Sequence, residues 1–347
     1  MSESEREHAV IGDEFLDTPG QLLRGGGHSM KLVVMIPAYN EEETIASVIH
    51  EIPRYIPGVD TVEVLVINDG SVDHTVEEAQ RAGADTIISF KKNKGLAPGF
   101  RAGLETALSM GADIIVNTDA DGQYDGTEIP KLIQPILDSK ADFVLGSRVK
   151  GTIEEMPTQK RIGNRMATWV TRQVSGLPVS DGQSGFRAFT RDAAMRLNVM
   201  ADYTYVQETL IQAANLGLVY TEVPILFRKR TGGSSRLISN IFNYAKRAGL
   251  TIVRSYRDYY PLRTFTIIGS VLIFAGFFVG LRPLIHYIET FTLAYLGSAV
   301  LSILLFIVGF NVISLGLVAD MLKTQRKIQD EILYRIKEKE NSQKHIE

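Results

Sequence analysis

The chain has no cysteine among its 347 residues. That absence excludes a disulfide framework, a thiolate zinc centre and a cysteine nucleophile. Any metal must then be held by oxygen or imidazole ligands, which favours hard cations such as Mg²⁺ or Mn²⁺. An apolar N-terminal stretch is also missing. Residues 1–29 are polar, contain Gly25-Gly26-Gly27 and follow no period, which predicts a flexible leader and no secretory signal. Acids are scarce in one place. Between Arg228 and Arg263, nine Lys/Arg accompany a single acid, Asp258, although the whole chain balances 37 basic against 40 acidic residues for a net charge of -3. Something anionic is expected beside that segment.

Charge is absent altogether from Thr264 to Leu281 and from Phe291 to Ala319, runs of 18 and 29 residues. At about 1.5 Å per residue, the longer run spans a hydrocarbon layer of about 30 Å and the shorter one only just does. Together they predict a transmembrane hairpin over 264–319. Basic residues crowd before Thr264 and return at Lys323, Arg326 and Lys327, whereas the connection holds only Arg282, His286 and Glu289. That bias puts the preceding domain and both termini in the cytoplasm. Within 238–263, Ile241, Phe242, Leu250, Ile252 and Val253 alternate with Lys246, Arg247 and Arg254, as in a basic helix lying in an anionic headgroup layer. The tail, 320–347, spaces Met321, Ile328, Ile332 and Ile336 at helical intervals and reads as a cytoplasmic helix, either solvated or contacting a second copy.

From Lys31 onward, short β-branched runs alternate with amphipathic stretches: LVVMIP, VEVLVIND, TIISF, DIIV, DFVLGSR, SGFRAF and VYTEVPILF. The intervening helices are placed from about Glu42, near Thr75 to Ala82, near Gly99 to Met110, from Lys160 to Val174 and from about Tyr205 to Leu216. The alternation predicts an α/β domain over 30–237, with a mostly parallel sheet covered on both faces and its ligands beyond the carboxyl ends of the strands.

Polar clusters fall at those ends. Pro37 stiffens the first exit, and Tyr39 offers a ring face suited to a nucleobase. Asp69 follows the second strand as an acceptor-only carboxylate. In Asn117-Thr118-Asp119-Ala120-Asp121-Gly122-Gln123, residues two apart in extended backbone point the same way, so Asp119 and Asp121 converge as a Mg²⁺ or Mn²⁺ site that substrate phosphates and water would complete. Arg161, Arg165, Arg172 and Arg187, with Arg228, Lys229, Arg230 and Arg236 around Gly232-Gly233-Ser234-Ser235, suit phosphate oxygens or an anionic lipid face. Of these, Arg161, Arg172, Arg187 and Arg230 lie where substrate phosphates could reach them. Glu208 opens a helix, where a dipole role competes with a catalytic one.

The ordered set MIPAYNEEETI, VINDGSVDHT, NKGLAPGFRAGLETAL, NTDADGQ, GSR, SGFR and RKRTGGSSRL resembles the family 2 glycosyltransferases of GT-A fold, in particular the polyprenyl-phosphate glycosyltransferases of the dolichol-phosphate mannose synthase group. The likeness covers about Lys31 to Leu237, and the hairpin resembles the two-helix anchors of prokaryotic members, which are often oligomeric. The resemblance implies that Ala38, Tyr39, Glu41 and Asp69 hold the nucleotide, with Pro37, Lys94 and Arg187 in the same donor-binding set. It also implies that Asp119, Asp121 and Gln123 hold the metal, that Arg161 and Arg172 meet the lipid phosphate, and that Arg230 lies near donor or product phosphates. The expected catalytic set is Asp121, Arg161, Arg172 and Glu208. The partners implied are a nucleotide sugar, a polyprenyl phosphate, an anionic bilayer and a possible homo-oligomer, with no nucleic acid. The expected reaction is metal-dependent and inverts the anomeric carbon. Asn68 stands where many relatives have aspartate, and DADGQYDG replaces a proline-bearing sequence, so neither base nor sugar carries over. A processive polysaccharide synthase and a non-catalytic nucleotide-sugar-binding scaffold are the rivals.

Overall fold

The computed structural model describes residues 29–199, 205–230 and 260–344. The expected leader, the Gly-Ser loop with Arg236 and most of the basic interfacial helix lie outside these residues.

The β-branched runs form seven strands: β1 Lys31–Ala38, β2 Thr61–Asn68, β3 Thr86–Ser89, β4 Ile114–Asn117, β5 Phe143–Ile153, β6 Arg187–Thr190 and β7 Tyr220–Phe227. They build one sheet in the order β3-β2-β1-β4-β6-β5-β7. All neighbours pair parallel except β6, which runs antiparallel between β4 and β5. Seven helices accompany the sheet: α1 Ile45–Glu51, α2 Thr75–Arg81, α3 Leu96–Ser109, α4 Ile129–Leu137, α5 Thr158–Ser175, α6 Arg191–Arg196 and α7 Val206–Asn215.

Alternate residues of each strand face opposite sides, which gives the sheet two cores. Leu32, Val34, Ile36, Val64 and Val66 pack with Ile45, Ile49, Leu132 and Ile133. On the other face, Val33, Met35, Leu65 and Ile67 pack with Phe100, Leu104, Tyr205 and Leu210. Helix α1 stops at Glu51, two residues before Pro53. Helix α3 starts three residues before the predicted Gly99, on Gly95, whose φ of 95° belongs to the left-handed region. Helix α4 was not read from the sequence: Pro130 occupies its first turn and Pro135 its interior, masking an apolar face of Ile129, Leu132, Ile133 and Ile136.

Two helices follow, α8 Pro261–Thr290 and α9 Leu296–Lys344. Each contains 30 residues long and apolar enough to cross a membrane, Pro261–Thr290 and Leu296–Gln325, and most of that length is unburied. Small residues bring them together. A Cβ on Gly269 would meet the carbonyl oxygen of Gly309 at 2.6 Å, and one on Gly309 would meet that of Gly269 at 2.8 Å. Ser302 Oγ donates to the Gly276 carbonyl at 2.7 Å, the kind of close contact that drives helix pairing where apolar burial contributes little. Gly269→Leu is therefore expected to overpack the seam by about 1–3 kcal/mol, read as a lower Tm in detergent; an unchanged melt would contradict the packing.

Helix α9 continues without a break into the tail and returns to the sheet domain. Tyr334 Oη donates to Asp192 Oδ1 at 2.8 Å, and the Arg196 guanidinium lies 4.6 Å above the Tyr334 ring. This part of the tail packs against α6, while Met321, Ile328, Ile332 and Ile336 stay exposed.

Candidate active site

The polar strand exits meet at the carboxyl edge of the sheet. After β1, Asn40 takes a φ of 53°, and its side-chain oxygen accepts from the Val72 N–H at 2.9 Å, coupling the first exit to the second. Glu41 then turns inward. Its Oε1 lies 2.9 Å from Arg230 and its Oε2 accepts from Thr44 Oγ1 at 3.2 Å, so this loop is tied to the chain leaving β7. Burial pushes the Glu41 carboxyl above its usual range, against the pull of Arg230.

Beyond β2, the Asp69 oxygens accept from the backbone N–H of Lys94 at 2.7 Å and of Gly95 at 2.8 Å. Asp69 therefore spends its carboxylate on the loop before α3, and each oxygen keeps one lone pair for a ligand. Lys94 enters this arrangement through its backbone, while its ammonium sits over Phe90, 4.4 Å from the ring centre. Gly70 is required where these loops cross: a Cβ there would meet Lys92 backbone at 2.5 Å, at a φ of +74°.

The third exit carries the two carboxylates. Asp121 Oδ1 accepts from the Gln123 N–H at 3.1 Å, and its Oδ2 lies 3.9 Å from Arg230 Nε. Among the described residues Asp119 makes no hydrogen bond or ion pair, and Gly185 presses against it so closely that a Cβ would come within 2.9 Å of Oδ1. Burial first, and Asp121 second, push the Asp119 carboxyl up to about 7. An open carboxylate with a second one beside it is a poor place for two negative charges and a good one for a divalent cation. Among the described residues no third acid or histidine joins them. A cation here would thus take the rest of its coordination from substrate phosphates and water.

Basic groups surround the pair. Among the described residues Arg230 Nε is buried with no hydrogen-bond partner, and Asp121 Oδ2 stands 3.9 Å from it. Lys160 was not singled out from the sequence. It senses Asp121, Asp119, Arg148 and Arg230 together, and burial, with Arg148 next, lowers its pKa. Arg148 was also missed. It forms a buried fork to Asp181, with Nε to Oδ2 at 2.7 Å and a second nitrogen to Oδ1 at 2.8 Å, and the Asp181 loop leads to Gly185. Tyr124 Oη accepts from the Gly185 N–H at 2.9 Å and fixes that loop.

The other expected residues fall in three groups. Pro37, Ala38 and Tyr39 leave β1 at the cleft, and Tyr39 is half-buried. Gln123 lies beside the carboxylates, but its amide nitrogen donates to the Arg228 carbonyl at 3.4 Å, leaving only its oxygen for a metal. Arg161 and Arg172 occupy the exposed side of α5, where Arg172 reaches back to the Val179 carbonyl.

One expectation needs correction. Arg187 does not reach the cleft. It is 0% exposed, bonded to the Ser184 carbonyl and Thr209, and flanked by Phe143 and Tyr205, so it is a core arginine under the floor. Arg228, one of the basic set around the Gly-Ser loop, is spent on ion pairs with Glu51 and Asp125 at 2.7 and 2.5 Å. Glu208 stands in the first turn of α7 and accepts from Gln212 at 3.1 Å; no hydrogen bond or ion pair joins it to Asp119, Asp121 or Arg230.

The glycosyl transferase family 2 model matches residues 33–197. A UDP-N-acetylglucosamine–dolichyl-phosphate N-acetylglucosaminyltransferase of Methanococcus voltae is 34% identical over 218 residues, covering 56% of this chain and 84% of that protein. The chain belongs to glycosyl transferase family 2. A polyprenol monophosphomannose synthase of Mycolicibacterium smegmatis is 28% identical over 64% of this chain and 89% of its own length. Among solved structures, glucosyl-3-phosphoglycerate synthase from Mycobacterium tuberculosis, in complex with Mn²⁺, UDP and glucosyl-3-phosphoglycerate, superposes with a TM-score of 0.51. It is 22% identical, with 66% of this chain and 79% of that chain covered. That likeness concerns the GT-A fold alone. As a family 2 glycosyltransferase, the chain carries its acid pair at the end of β4 and two long apolar helices after the fold.

Proposed function

We propose that this glycosyltransferase moves one sugar from a UDP- or GDP-linked donor to a polyprenyl monophosphate, in dolichyl or undecaprenyl form, at the cytoplasmic face of a membrane. The observation that carries the reading is the unpartnered Asp119 carboxylate beside Asp121, faced by the unsatisfied Arg230 Nε and by Lys160, on a domain joined to an apolar helical hairpin. The names of the Methanococcus and Mycolicibacterium relatives support the acceptor class.

A phosphate monoester is largely a dianion near neutrality, its second pKa being about 6. The acceptor therefore needs no general base, in keeping with a cleft whose polar groups are acids, arginines and a lysine. Asp119 and Asp121 would hold Mg²⁺ or Mn²⁺, with the Gln123 oxygen within reach. The ion would supply Lewis-acid stabilisation of the departing diphosphate. Arg230, braced by Glu41, offers its free Nε to the same phosphates. The loop held by Asp69 and the Tyr39 ring frame the nucleoside. Lys160, whose ammonium feels both carboxylates, would orient the attacking phosphate oxygen. That oxygen bonds to the anomeric carbon as the bond to the diphosphate breaks on the opposite side, so configuration inverts. The domain boundaries at 30–237 and 264–319 and the cytoplasmic orientation form part of the same proposal.

Lys160→Met is expected to lower kcat/KM by about 10–100-fold, the worth of one charged hydrogen bond, with the melting curve unchanged; a normal kcat/KM would remove Lys160 from the site. The function itself is tested by incubating the reconstituted protein with labelled UDP- and GDP-sugars and polyprenyl phosphate, then extracting into organic solvent. A single sugar on an extractable lipid supports the reading. A polymer would point to a processive synthase, and no product to a scaffold.

A further inference from the structure

Helix α9 outlasts its apolar stretch. That stretch ends at Gln325, yet the helix runs on to Lys344 with neither glycine nor proline after Gly316, so no hinge interrupts it. Helices in water owe most of their stability to packing rather than to propensity. Here the packing is supplied by Tyr334, which is half-buried against the sheet core on the Phe100 face. Its seat is a closed set of three side chains: Tyr334 Oη donates to Asp192 Oδ1 at 2.8 Å, Arg196 Nε donates to Asp192 Oδ2 at 2.8 Å, and the Arg196 guanidinium covers the Tyr334 ring at 4.6 Å. Each group holds the other two, which an isolated exposed ion pair does not do.

What Tyr334 grips leads to the acid pair. Asp192 and Arg196 belong to α6, which follows β6 without a break and buries Ala193, Ala194 and Met195 in the same core. The Arg191 N–H donates to the Asp113 carbonyl at 2.8 Å, and β6 pairs with β4 from Ile114–Thr190 to Asn117–Arg187, just before Asp119 and Asp121. One contact alone would leave the domain free to tilt about it. Helix α9 makes a second: Lys323 Nζ lies 5.4 Å from the centre of the Tyr260 ring, whose hydroxyl donates to the Val174 carbonyl at the end of α5 at 2.9 Å. From Lys323 to Tyr334 the axis rises by about 16 Å at about 1.5 Å per residue. Two footholds that far apart on one stiff helix fix height and tilt together.

We propose that the end of α9 beyond Gln325 is a strut, and that Tyr334, seated on Asp192 and Arg196, is a positioning residue that holds the acid pair at a fixed height and tilt over the bilayer. This rests on the reading of α8 and α9 as membrane spans and of the acceptor as a lipid phosphate. An acceptor in a bilayer is confined to one height, so a domain that rocks spends part of its time out of reach of it. A dissolved acceptor meets the cleft at any tilt.

The experiment compares the full-length protein with Tyr334→Ala and Tyr334→Phe in vesicles. In Tyr334→Ala, kcat/KM for vesicle-borne polyprenyl phosphate is expected to fall about 10-fold, while KM for the nucleotide sugar and kcat/KM for a water-soluble, short-chain isoprenyl phosphate stay unchanged. Tyr334→Phe keeps the ring under Arg196 and should recover most of the loss. Equal losses on both acceptors, or no loss on either, would overturn the strut. Because the chain has no cysteine, spin labels placed by Tyr55→Cys and Gln325→Cys, both exposed positions, report the tilt by double electron–electron resonance whatever the substrate is. A narrow distance distribution is expected, broadened by several ångströms when Tyr334→Ala is added. Equal widths, or a broad distribution without the substitution, would overturn the proposal. Failure of the unsubstituted protein to label any lipid would instead sink the proposed function, and the role of Tyr334 in it.

Discussion

Asp121→Ala is expected to lower sugar transfer by at least about 10³-fold, roughly 4 kcal/mol of transition-state stabilisation, with the fold intact. The structural duties of this side chain are small: one bond from the Gln123 N–H and a 3.9 Å approach to Arg230, which keeps its contact with Glu41. What disappears is one of the two carboxylates able to hold a cation against a diphosphate. Asp119→Asn should fall as far, because it removes the charge and keeps the shape against Gly185. The check is the initial rate of lipid-linked product over a Mg²⁺ or Mn²⁺ titration, beside a circular dichroism melt. Turnover within a few-fold of the natural protein at every metal concentration would exclude the pair as the cation clamp.

Arg148→Met should produce the largest loss of stability, about 3–5 kcal/mol. The arginine and Asp181 are 4% and 3% exposed at their side chains and joined by two hydrogen bonds, with the Phe227 ring 4.9 Å below the guanidinium. Removing one partner strands the other charge in a medium that cannot solvate it. Arg148→Met/Asp181→Leu should recover a large part of the loss, because it removes both desolvation costs. Urea unfolding in detergent measures each, and a single-variant loss below about 1 kcal/mol would place the pair in solvent-like surroundings. The pair also braces the loop to Gly185, which presses on Asp119, so the single variant should lose activity even where it stays folded.

Strands were legible because burial on both faces demands unbroken β-branched runs, which LVVMIP and VEVLVIND display. Strand direction was less so: nothing in SGFRAF distinguishes the antiparallel β6 from its parallel neighbours, because side-chain alternation is the same either way. Helix α4 hid behind its prolines. In the site, the acid pair could be read because extended backbone alone brings Asp119 and Asp121 together. Lys160, Arg148 and Asp181 could not, since their meeting depends on α5 and the 181–185 loop folding over the end of β4. Arg187 was misread for the same reason. In sequence, an arginine that grips phosphate and one that fills a core between two aromatic rings look identical, and only packing separates them. Asp69 lies between these cases: its position was legible, but not its two backbone donors, Lys94 and Gly95.

The most direct test of the clamp is Mn²⁺ binding followed by electron paramagnetic resonance, with and without UDP or GDP, in the natural protein and in Asp119→Asn. Two protein carboxylates leave most of an octahedron open. Tight Mn²⁺ binding is therefore expected only when a nucleoside diphosphate is present, and it should be lost in the variant. Equal affinity in both proteins, or binding indifferent to nucleotide, would contradict the assignment of Asp119 and Asp121 as the metal-holding pair.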